Sequence, residues 1–316
     1  MSRYFRELSV VAVLGLLWLA LAVWAPAFFQ PQPLLSLLAR EAPALVVACG
    51  MTLVILTRQI DISVGSQFSV CSVAAGLLAA TGWPMALVLP AAIVLGAGLG
   101  AINGALVAGL GLPSIVVTLA TMVTLRQGLN LARQGAFVNL PDAVQWLGLS
   151  QQAGQGMLVA GALVVLVALA LALRHLAAGR HVYAVGSDAE AARLAGLRPR
   201  RVTFAVFAML GALTGLAAVM NVIQSPQVQP LAGSGMELKV IAAVVVGGVA
   251  ISGGRGRLWG VLAGWLLLAC VSPALTHLHV EAYWEKAIQG AIILLAVVAE
   301  GVRDRVGAGR NGSPVR

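Results

Sequence analysis

The stretch VILTRQIDISVGSQ, Val54–Gln67, lies between two long runs that contain no charged residue. The first run covers residues 42–57 and the second covers residues 62–125. A charged side chain at the centre of a bilayer costs about 2.5–3.5 kcal/mol, so the opposite charges Arg58 and Asp61 do not belong inside a span. The two runs therefore predict membrane helices on either side of a polar junction, formed by Arg58, Asp61, Ser63, Gly65 and Ser66.

The composition of the whole chain agrees with a membrane setting. The chain has 316 residues, of which 60% are hydrophobic and 10% are charged, and its mean hydropathy is +0.95. Soluble domains usually carry about 25% charged residues. The apolar runs are continuous and exceed the roughly ten-residue alternating segments of a barrel. The sequence thus predicts an all-α polytopic membrane protein, organised as one transmembrane domain over residues 1–316.

Apolar runs between breakers predict about ten transmembrane helices, since a span needs about 20 residues. We interpret the first run as an uncleaved span, because it is longer than the apolar core of a signal peptide. The predicted spans are 8–28, 43–60, 63–81, 85–110, 113–129, 156–176, 202–224, 236–252, 257–275 and 284–302.

The distribution of Lys and Arg predicts the orientation of these spans. With both termini cytoplasmic, fifteen of the 20 Lys and Arg residues fall on the inside, as the positive-inside rule requires. Residues 177–201 are then a cytoplasmic segment and residues 130–155 are a periplasmic loop. The net charge of +9 is therefore a topology signal, and no nucleic-acid partner is needed to explain it.

Glycines at four-residue spacing predict close helix packing, because they fall on one helix face and let two backbones approach each other. Three such series occur in the apolar runs, and we expect each to lie in a helix contact. They are Gly96, Gly100 and Gly104; Gly211 and Gly215; and Gly256, Gly260 and Gly264.

No catalytic motif is present. The sequence contains no G-x-x-x-x-G-K-[ST] phosphate loop, no H-E-x-x-H and no G-x-S-x-G. Its Cys and His residues have no metal-ligand spacing. We therefore expect no enzyme activity and no metal or cofactor in this chain. The centres of the spans also lack the carboxylates of a proton relay, which weakens the alternative of an ion-coupled secondary transporter but leaves it open.

The cytoplasmic stretch SDAEAARLAGL, Ser187–Leu197, predicts a short capped helix. Ser187 or Asp188 can cap its start, and Gly196 can end it. Ala191, Leu194 and Ala195 share one face by their spacing. Such a helix can dock on a cytoplasmic partner or lie on anionic lipid, and the residues alone leave both open.

Several blocks of the sequence resemble permeases of ATP-binding cassette (ABC) importers. Glu190, Ala191 and Ala192, followed after three residues by Gly196, resemble their E-A-A-x-x-x-G motif, although the Leu-Pro of its longest form is missing. The blocks ILTRQIDISVGS (55–66), LGAINGALVAGLGLPSIVVTLATM (99–122) and GRHVYAVGSDAEAARLAGL (179–197) resemble the ribose/xylose, rhamnose and autoinducer-2 type of permease. So does AGSGMELKVIAAVVVGGVAISGGRGRLWGVLAG (232–264).

The resemblance implies a fold, partners and a location. It implies an importer of a monosaccharide or sugar-like solute in the bacterial inner membrane, with about ten helices in each of two permease subunits. Partner ATPase subunits would bind ATP and magnesium, and a periplasmic binding protein would deliver the solute. It does not separate rhamnose from autoinducer-2 permeases. The expected ATPase-coupling residues are Gly186, Ser187, Glu190, Ala191, Ala192 and Gly196.

Arg58 and Asp61 stand three residues apart, so on a helical turn they can form an ion pair. We expect such a pair to lock the first junction, with a role in gating as the alternative. The second junction, residues 251–255, is expected to be equivalent to the first and to lie near the cytoplasmic mouth. Its gating candidates are Ser252, Gly253 and Gly254.

Polar residues in apolar helices are candidates to line the solute path, with hydrogen bonding between helices as the alternative. Glu237 and Lys239 are expected near the outer mouth, where they could meet the binding protein. The path candidates are Gln67, Asn103, Asn130, Asn221 and Gln224.

Overall fold

A computed structural model describes residues 5–277 and eight single helical positions between 284 and 298. Most of the last predicted span, 284–302, lies outside these residues. The first six helices are α1 (Phe5–Trp24), α2 (Pro31–Leu56), α3 (Val64–Ala80), α4 (Met85–Gly104), α5 (Ser114–Arg133) and α6 (Gln151–His175). The next six are α7 (Ala177–Ser187), α8 (Ala189–Leu194), α9 (Pro199–Gln224), α10 (Met236–Val246), α11 (Leu258–Ala269) and α12 (Val271–His277).

The helices confirm an all-α fold built for a membrane. Among the described residues, six helical stretches are long and apolar enough to cross a bilayer. Helix α3 fills nearly all of the predicted span 63–81 but has only 17 residues. Helix α10 has eleven residues, because residues 247–252 of the predicted span 236–252 are not helical. The six stretches are Pro31–Leu56, Met85–Gly109, Ser114–Arg133, Gln151–His175, Pro199–Gln224 and Leu258–Thr276.

Helices α6 and α9 connect the opposite ends of the bundle, since each lies between a strand and the α7–α8 segment in the chain. The 25 residues of α6 extend about 37 Å at 1.5 Å per residue. At one end α6 is followed by α7 and α8. At the other end lies a two-stranded antiparallel ribbon, in which β1 (Val138–Asn139) pairs with β2 (Gln227–Val228). We call these the α8 end and the ribbon end.

The contact between α4 and α9 confirms the packing role of two glycine series. A Cβ atom on Gly96 would collide with the carbonyl oxygen of Gly211, and one on Gly100 with that of Phe207. Gly215 stands equally close to the carbonyl of Ala92. Side chains at these positions would force the helices apart, so the glycines allow backbone-to-backbone packing.

The third glycine series is only partly helical. Gly264 packs on the carbonyl of Ala243 in α10, and Gly260 meets Gly247. Gly256 instead lies before α11 with a φ of +146°, where Val249 occupies the space that a Cβ would need. Its expected place on a helix face was therefore wrong, because the chain turns there.

Two non-helical segments enter the bundle and lead into α3 and the shorter helix α10. We call residues 57–63 the first break and residues 225–235 the second break. The second break follows α3 inward, since Val228 packs on Gly76 while the amide of Gly233 donates to Ser69 Oγ at 3.0 Å. Both breaks therefore bring polar backbone into the interior, where it must find partners within the protein.

Candidate functional site

Two hydroxyl groups of α5 satisfy the backbone of the first break. The amide of Ile60 donates to Ser114 Oγ at 3.3 Å, and the amide of Ile62 donates to Thr118 Oγ1 at 3.1 Å. Both hydroxyl residues are buried. Because lipid cannot replace such partners, these contacts allow a non-helical segment to lie inside the helix bundle.

Asp61 is the centre of a buried polar network. Its Oδ1 accepts from the amide and the hydroxyl of Ser63 at 2.8 and 2.6 Å. Its Oδ2 accepts from Gln67 Nε2 at 3.1 Å and from Asn103 Nδ2 at 3.3 Å. Thr121 Oγ1 donates to Asn103 Oδ1 at 2.8 Å. The network therefore joins the first break to α3, α4 and α5. Asp61, Ser63, Gln67 and Asn103 are fully buried.

Arg58 does not form the expected ion pair with Asp61. It has a φ of +64° and is exposed. Its Nε donates to the carbonyl of Gly186 at 2.6 Å, and its Nη2 donates to the carbonyl of Ser187. These carbonyls end α7, where a cation is favourable. The prediction failed because residues 57–63 are not a helical turn, so three-residue spacing does not place the two side chains together.

The end of α7 fits tightly between the two junctions. Gly186 lies against the carbonyl of Leu56 and the amide of Gly254, and that amide donates to the same carbonyl at 2.9 Å. Tyr183 adds a hydrogen bond from its hydroxyl to the carbonyl of Gly256 at 2.8 Å. Burial raises the pKa of Tyr183, while the charge of Arg257 opposes the rise. A displacement of α7 would therefore move the end of α2 and the loop before α11 together.

The short helix α8 has the predicted ends. Asp188 Oδ1 accepts from the amides of Ala191 and Glu190 at 2.9 Å, and these bonds lower the pKa of its carboxyl group. At the other end, Gly196 has a φ of +84°, and the amides of Gly196 and Leu197 donate to the carbonyls of Arg193 and Ala192. This is a Schellman motif. The sequence thus encodes both ends of the helix.

The outer surface of α8 is exposed. Leu194 is 76% exposed, and Ala191, Ala195 and Gly196 are also exposed. Glu190 is held by Arg193 through two hydrogen bonds of 2.9 and 2.6 Å, which lower the pKa of its carboxyl group. Only Ala192 of the helix is buried. The apolar face that the sequence predicts thus points away from the rest of the chain.

The two predicted junctions are not equivalent. Gly253 and Gly254 pack beside Arg58, Gly186 and Ser187, whereas Gly65 packs on Gly233 and Glu237. The eleven residues of α10, about 16 Å long, separate these two places. The expectation was wrong because the first break turns back into the bundle after Arg58, which carries Ser63, Gly65 and Ser66 away from the α8 end.

The candidates for the solute path divide into two groups. Gln67 and Asn103 belong to the Asp61 network and are fully buried. Asn130 lies in the last turn of α5, and Asn221 and Gln224 lie in the last turn of α9. These three side chains are partly exposed. The structure therefore brings only Gln67 and Asn103 together, in the role of interhelical hydrogen bonding.

Glu237 and Lys239 lie inside the bundle and not at an outer mouth. Glu237 Oε1 pairs with Arg126 at 3.2 Å, and Lys239 pairs with Glu41 Oε2 at 2.7 Å. Both carboxylates are buried. The prediction was wrong because the second break carries the start of α10 inward. Charges directly beside the uncharged runs 42–57 and 62–125 were the signal for Glu41 and Arg126, which the sequence reasoning missed.

Within residues 5–277 and the single positions described beyond them, no group of three His, Cys, Asp or Glu side chains is arranged to hold a metal ion. The three cysteines are buried and unpaired. The structure therefore offers hydrogen-bonding groups and ion pairs in the interior, and a capped helix with a free face at one end.

Long apolar helices, breaks that carry polar backbone inward, and a capped helix exposed at one end define a polytopic membrane transport protein. The chain belongs to the family described as "Branched-chain amino acid transport system / permease component", whose model matches residues 34–297. It is 33% identical to the ribose import permease protein RbsC of Escherichia coli K12 over 94% of this chain and 96% of that protein.

A second group of relatives carries a different solute name. The chain is 36% identical to the autoinducer 2 import system permease protein LsrC of Klebsiella pneumoniae, over 94% of this chain and 86% of that protein. These two relatives name ribose and autoinducer-2, and neither names rhamnose. No solved structure matches the chain.

Membership of the family fixes the class of activity. The chain is a multi-pass inner-membrane permease component of an ABC importer, and it is a transport subunit without catalytic residues. ATP is bound by a separate ATPase, and such a permease works with ATPase and binding-protein partners.

Proposed function

We propose that the chain imports ribose, a related monosaccharide or autoinducer-2. The support is the pair of relatives named for ribose and autoinducer-2 import, each matched over 94% of this chain. We further propose about ten spans with both termini in the cytoplasm. In this arrangement residues 177–201 face the ATPase and residues 130–155 face the periplasm, which fits the excess of Arg at the α8 end.

The exposed face of α8 carries this proposal. Leu194, Ala191 and Ala195 form an apolar surface that gains by burial against a partner. Behind it, α7 is fixed to the first break through Arg58 and to the loop before α11 through Tyr183. Force applied to α8 by an ATPase therefore has a rigid path to both junctions, where Ser252, Gly253 and Gly254 accompany the movement.

We assign the exposed face of α5 to a second permease subunit, which is either a second copy or a related chain. Only 11% of the apolar window of α5 is buried in this chain, against 89% for α2. Its mean hydropathy of 1.3 is the lowest of the six long helical stretches, and Thr124 and Gln127 are exposed on it. A polar face of this kind favours a protein or a water-filled path over lipid.

Cross-linking tests this assignment. The cysteines at 49, 71 and 270 are buried, so a single new cysteine at an exposed site dominates the reaction. If the second subunit is another copy of this chain, Gln127→Cys should form a disulfide-linked dimer in native membranes, whereas Leu171→Cys on the exposed side of α6 should not. If it is a related chain, the test needs a cysteine at the matching position of that chain as well. Equal cross-linking at both sites would contradict the assignment.

Uptake in the native bacterium tests the function. Deleting the gene should abolish uptake of one labelled solute among ribose, rhamnose, xylose and autoinducer-2, and a plasmid copy should restore it. Orthovanadate, which inhibits the ATPase, should block this uptake, and an uncoupler should not block it directly. Uptake that resists vanadate and collapses with the uncoupler would instead support an ion-coupled secondary transporter.

Gly196 offers a sharper test of the ATPase contact. Gly196 and Gly82 both have positive φ values, +84° and +85°, with nothing within 4 Å of an added Cβ atom. Leucine at either position should cost a similar amount of backbone strain, about 1–2 kcal/mol. Gly196→Leu should abolish vanadate-sensitive uptake while insertion persists, and Gly82→Leu should not. Normal uptake by Gly196→Leu would contradict the coupling role.

A further inference from the structure

The starts of α3 and α10 meet inside the bundle. A Cβ atom on Gly65 would collide with the carbonyl of Gly233 and with Glu237 Oε2, and one on Gly233 would collide with the carbonyl of Gly65. Seventeen residues of α3 and eleven of α10 lead from this contact to the two ends of the bundle. At 1.5 Å per residue these are about 25 and 16 Å. The contact is thus a constriction well below both surfaces.

The carboxylate of Glu237 at this constriction is only half satisfied. Its Oε1 is held by Arg126 Nη2 at 3.2 Å, while its Oε2 is buried without a hydrogen-bond partner among the described residues. A buried acceptor without a partner costs about 1–3 kcal/mol. The side chain of Glu237 is 9% exposed and that of Arg126 is 26% exposed, so the cation reaches toward the accessible side of α5.

A second ion pair on the same helix shows what a structural pair looks like in this protein. Glu41 Oε2 contacts Lys239 at 2.7 Å, and its Oε1 lies 3.7 Å from Arg40 Nε. Both oxygens of Glu41 therefore face a cation. Only Glu237 combines a buried carboxylate oxygen without a partner with a contact between two helix starts, among the residues that the structure describes.

We propose that Glu237 and Arg126 form a binding site for hydroxyl groups on the solute path. This inference rests on the proposed function. When Gly65 and Gly233 separate, Glu237 Oε2 accepts a hydrogen bond from one solute hydroxyl, and the Arg126 guanidinium donates to an adjacent oxygen. A carboxylate beside a guanidinium matches neighbouring hydroxyl groups, because each hydroxyl both donates and accepts.

The charges at the site favour a polyhydroxylated solute over a cation. Arg126 neutralises Glu237, and the Lys286 ammonium lies 3.9 Å from the place a Cβ would take at Gly235, the residue before α10. A metal ion or a protonated amine would be repelled there. A neutral sugar is not repelled, and it gains charge-assisted hydrogen bonds that break again when the constriction closes.

Matched carboxylate-to-amide variants test the proposal. The probes are the one solute that wild type imports among ribose, rhamnose, xylose and autoinducer-2, and analogues of it that each lack one hydroxyl. Glu237→Gln should lower vanadate-sensitive uptake of the full solute by roughly tenfold or more, since a hydrogen bond to a charged group is lost. The analogue that lacks the hydroxyl bound by Glu237 should change in uptake by less than about twofold. The ratio of uptake of the full solute to uptake of that analogue should therefore fall.

Glu41→Gln is the control, because it makes the same chemical change in a fully paired carboxylate. It should lower uptake of all probes by one common factor or not at all. Arg126→Lys keeps the ion pair but loses the planar donors, and should also narrow the discrimination. If Glu237→Gln lowers uptake of all probes by one common factor, as Glu41→Gln does, the proposed binding site is wrong. If wild type imports none of the probes, or imports one without vanadate sensitivity, the proposed function itself fails.

Discussion

The two breaks of the bundle have similar shapes and different chemistry. The first break contains Asp61, whose carboxylate accepts four hydrogen bonds from Ser63, Gln67 and Asn103. The second break leads to Glu237, whose carboxylate has one cation and one oxygen without a partner among the described residues. Each break starts a short helix in the interior, and each is next to α5 through a polar contact.

The difference between them separates a fixed element from an adaptable one. In an apolar setting each polar group needs a partner within the protein. A fully satisfied network such as that of Asp61 stabilises one arrangement. A carboxylate with an oxygen that has no partner can change its hydrogen-bond partners at a lower cost in free energy. We therefore expect the first break to hold its shape during transport and the second break to move against it.

The largest effect should come from Asp61→Asn. The amide replaces an acceptor by an NH₂ group facing the donors of Gln67 and Asn103, and each buried donor left without a partner costs about 1–3 kcal/mol. The loss should be about 2–5 kcal/mol, seen as a large fall in melting temperature in detergent or in the amount of folded protein. Glu237→Gln should lower the melting temperature or the amount of folded protein by less in the same assay. An equal fall would remove the distinction between the two breaks.

Substitution at the contact between the breaks should rank second. Gly233→Ala places a methyl group on the carbonyl of Gly65, and overpacking costs about 1–3 kcal/mol. Gly98→Ala on α4 is the control, since nothing lies within 4 Å of an added Cβ there. It should be neutral or slightly stabilising. Melting temperatures of both variants measure the effect, and a Gly233→Ala protein as stable as the control would show that the second break does not pack on the start of α3.

Much of this architecture could be predicted from the sequence, for physical reasons. Uninterrupted apolar runs mark the long helices, and the caps Asp188 and Gly196 mark α8 because their side-chain and backbone preferences are local. The glycine spacing of α4 and α9 likewise requires only helical periodicity. These features depend on residues close together in the chain.

The depth at which a residue lies in the bundle could not be predicted in this way. The predicted spans 202–224 and 236–252 leave the second break as a loop between them, which places Glu237 at a surface. Glu237 and Lys239 are two residues apart on a helix and face different directions, which is why one reaches Arg126 and the other Glu41. Arg58 was misassigned because three-residue spacing pairs side chains only where the backbone is helical.

Removing a hydroxyl from α5 should have a smaller effect on the first break. Thr118→Val keeps the side-chain shape but leaves the amide of Ile62 without its acceptor, at about 1–2 kcal/mol. Thr118→Ser, which retains the hydroxyl, should recover most of the loss. The comparison of melting temperatures isolates the hydrogen bond from packing, and identical values for Val and Ser would mean that the break needs no such support.

The smallest effect on stability should occur at Arg58, which joins the first break to the end of α7. Arg58→Gly removes the hydrogen bonds to the carbonyls of Gly186 and Ser187. Glycine also relieves the strain of the positive φ of +64°, which costs other residues about 1 kcal/mol or more. The melting temperature should therefore stay near that of wild type, while vanadate-sensitive uptake should fall by roughly tenfold, as expected for a lost hydrogen bond from a charged group. Arg58→Lys keeps the charge and the strain but lacks the planar fork. Its uptake should lie between that of wild type and that of Arg58→Gly. A parallel loss of stability and uptake in Arg58→Gly would mean that Arg58 only holds the fold together, and that the first break does not transmit the movement of α7.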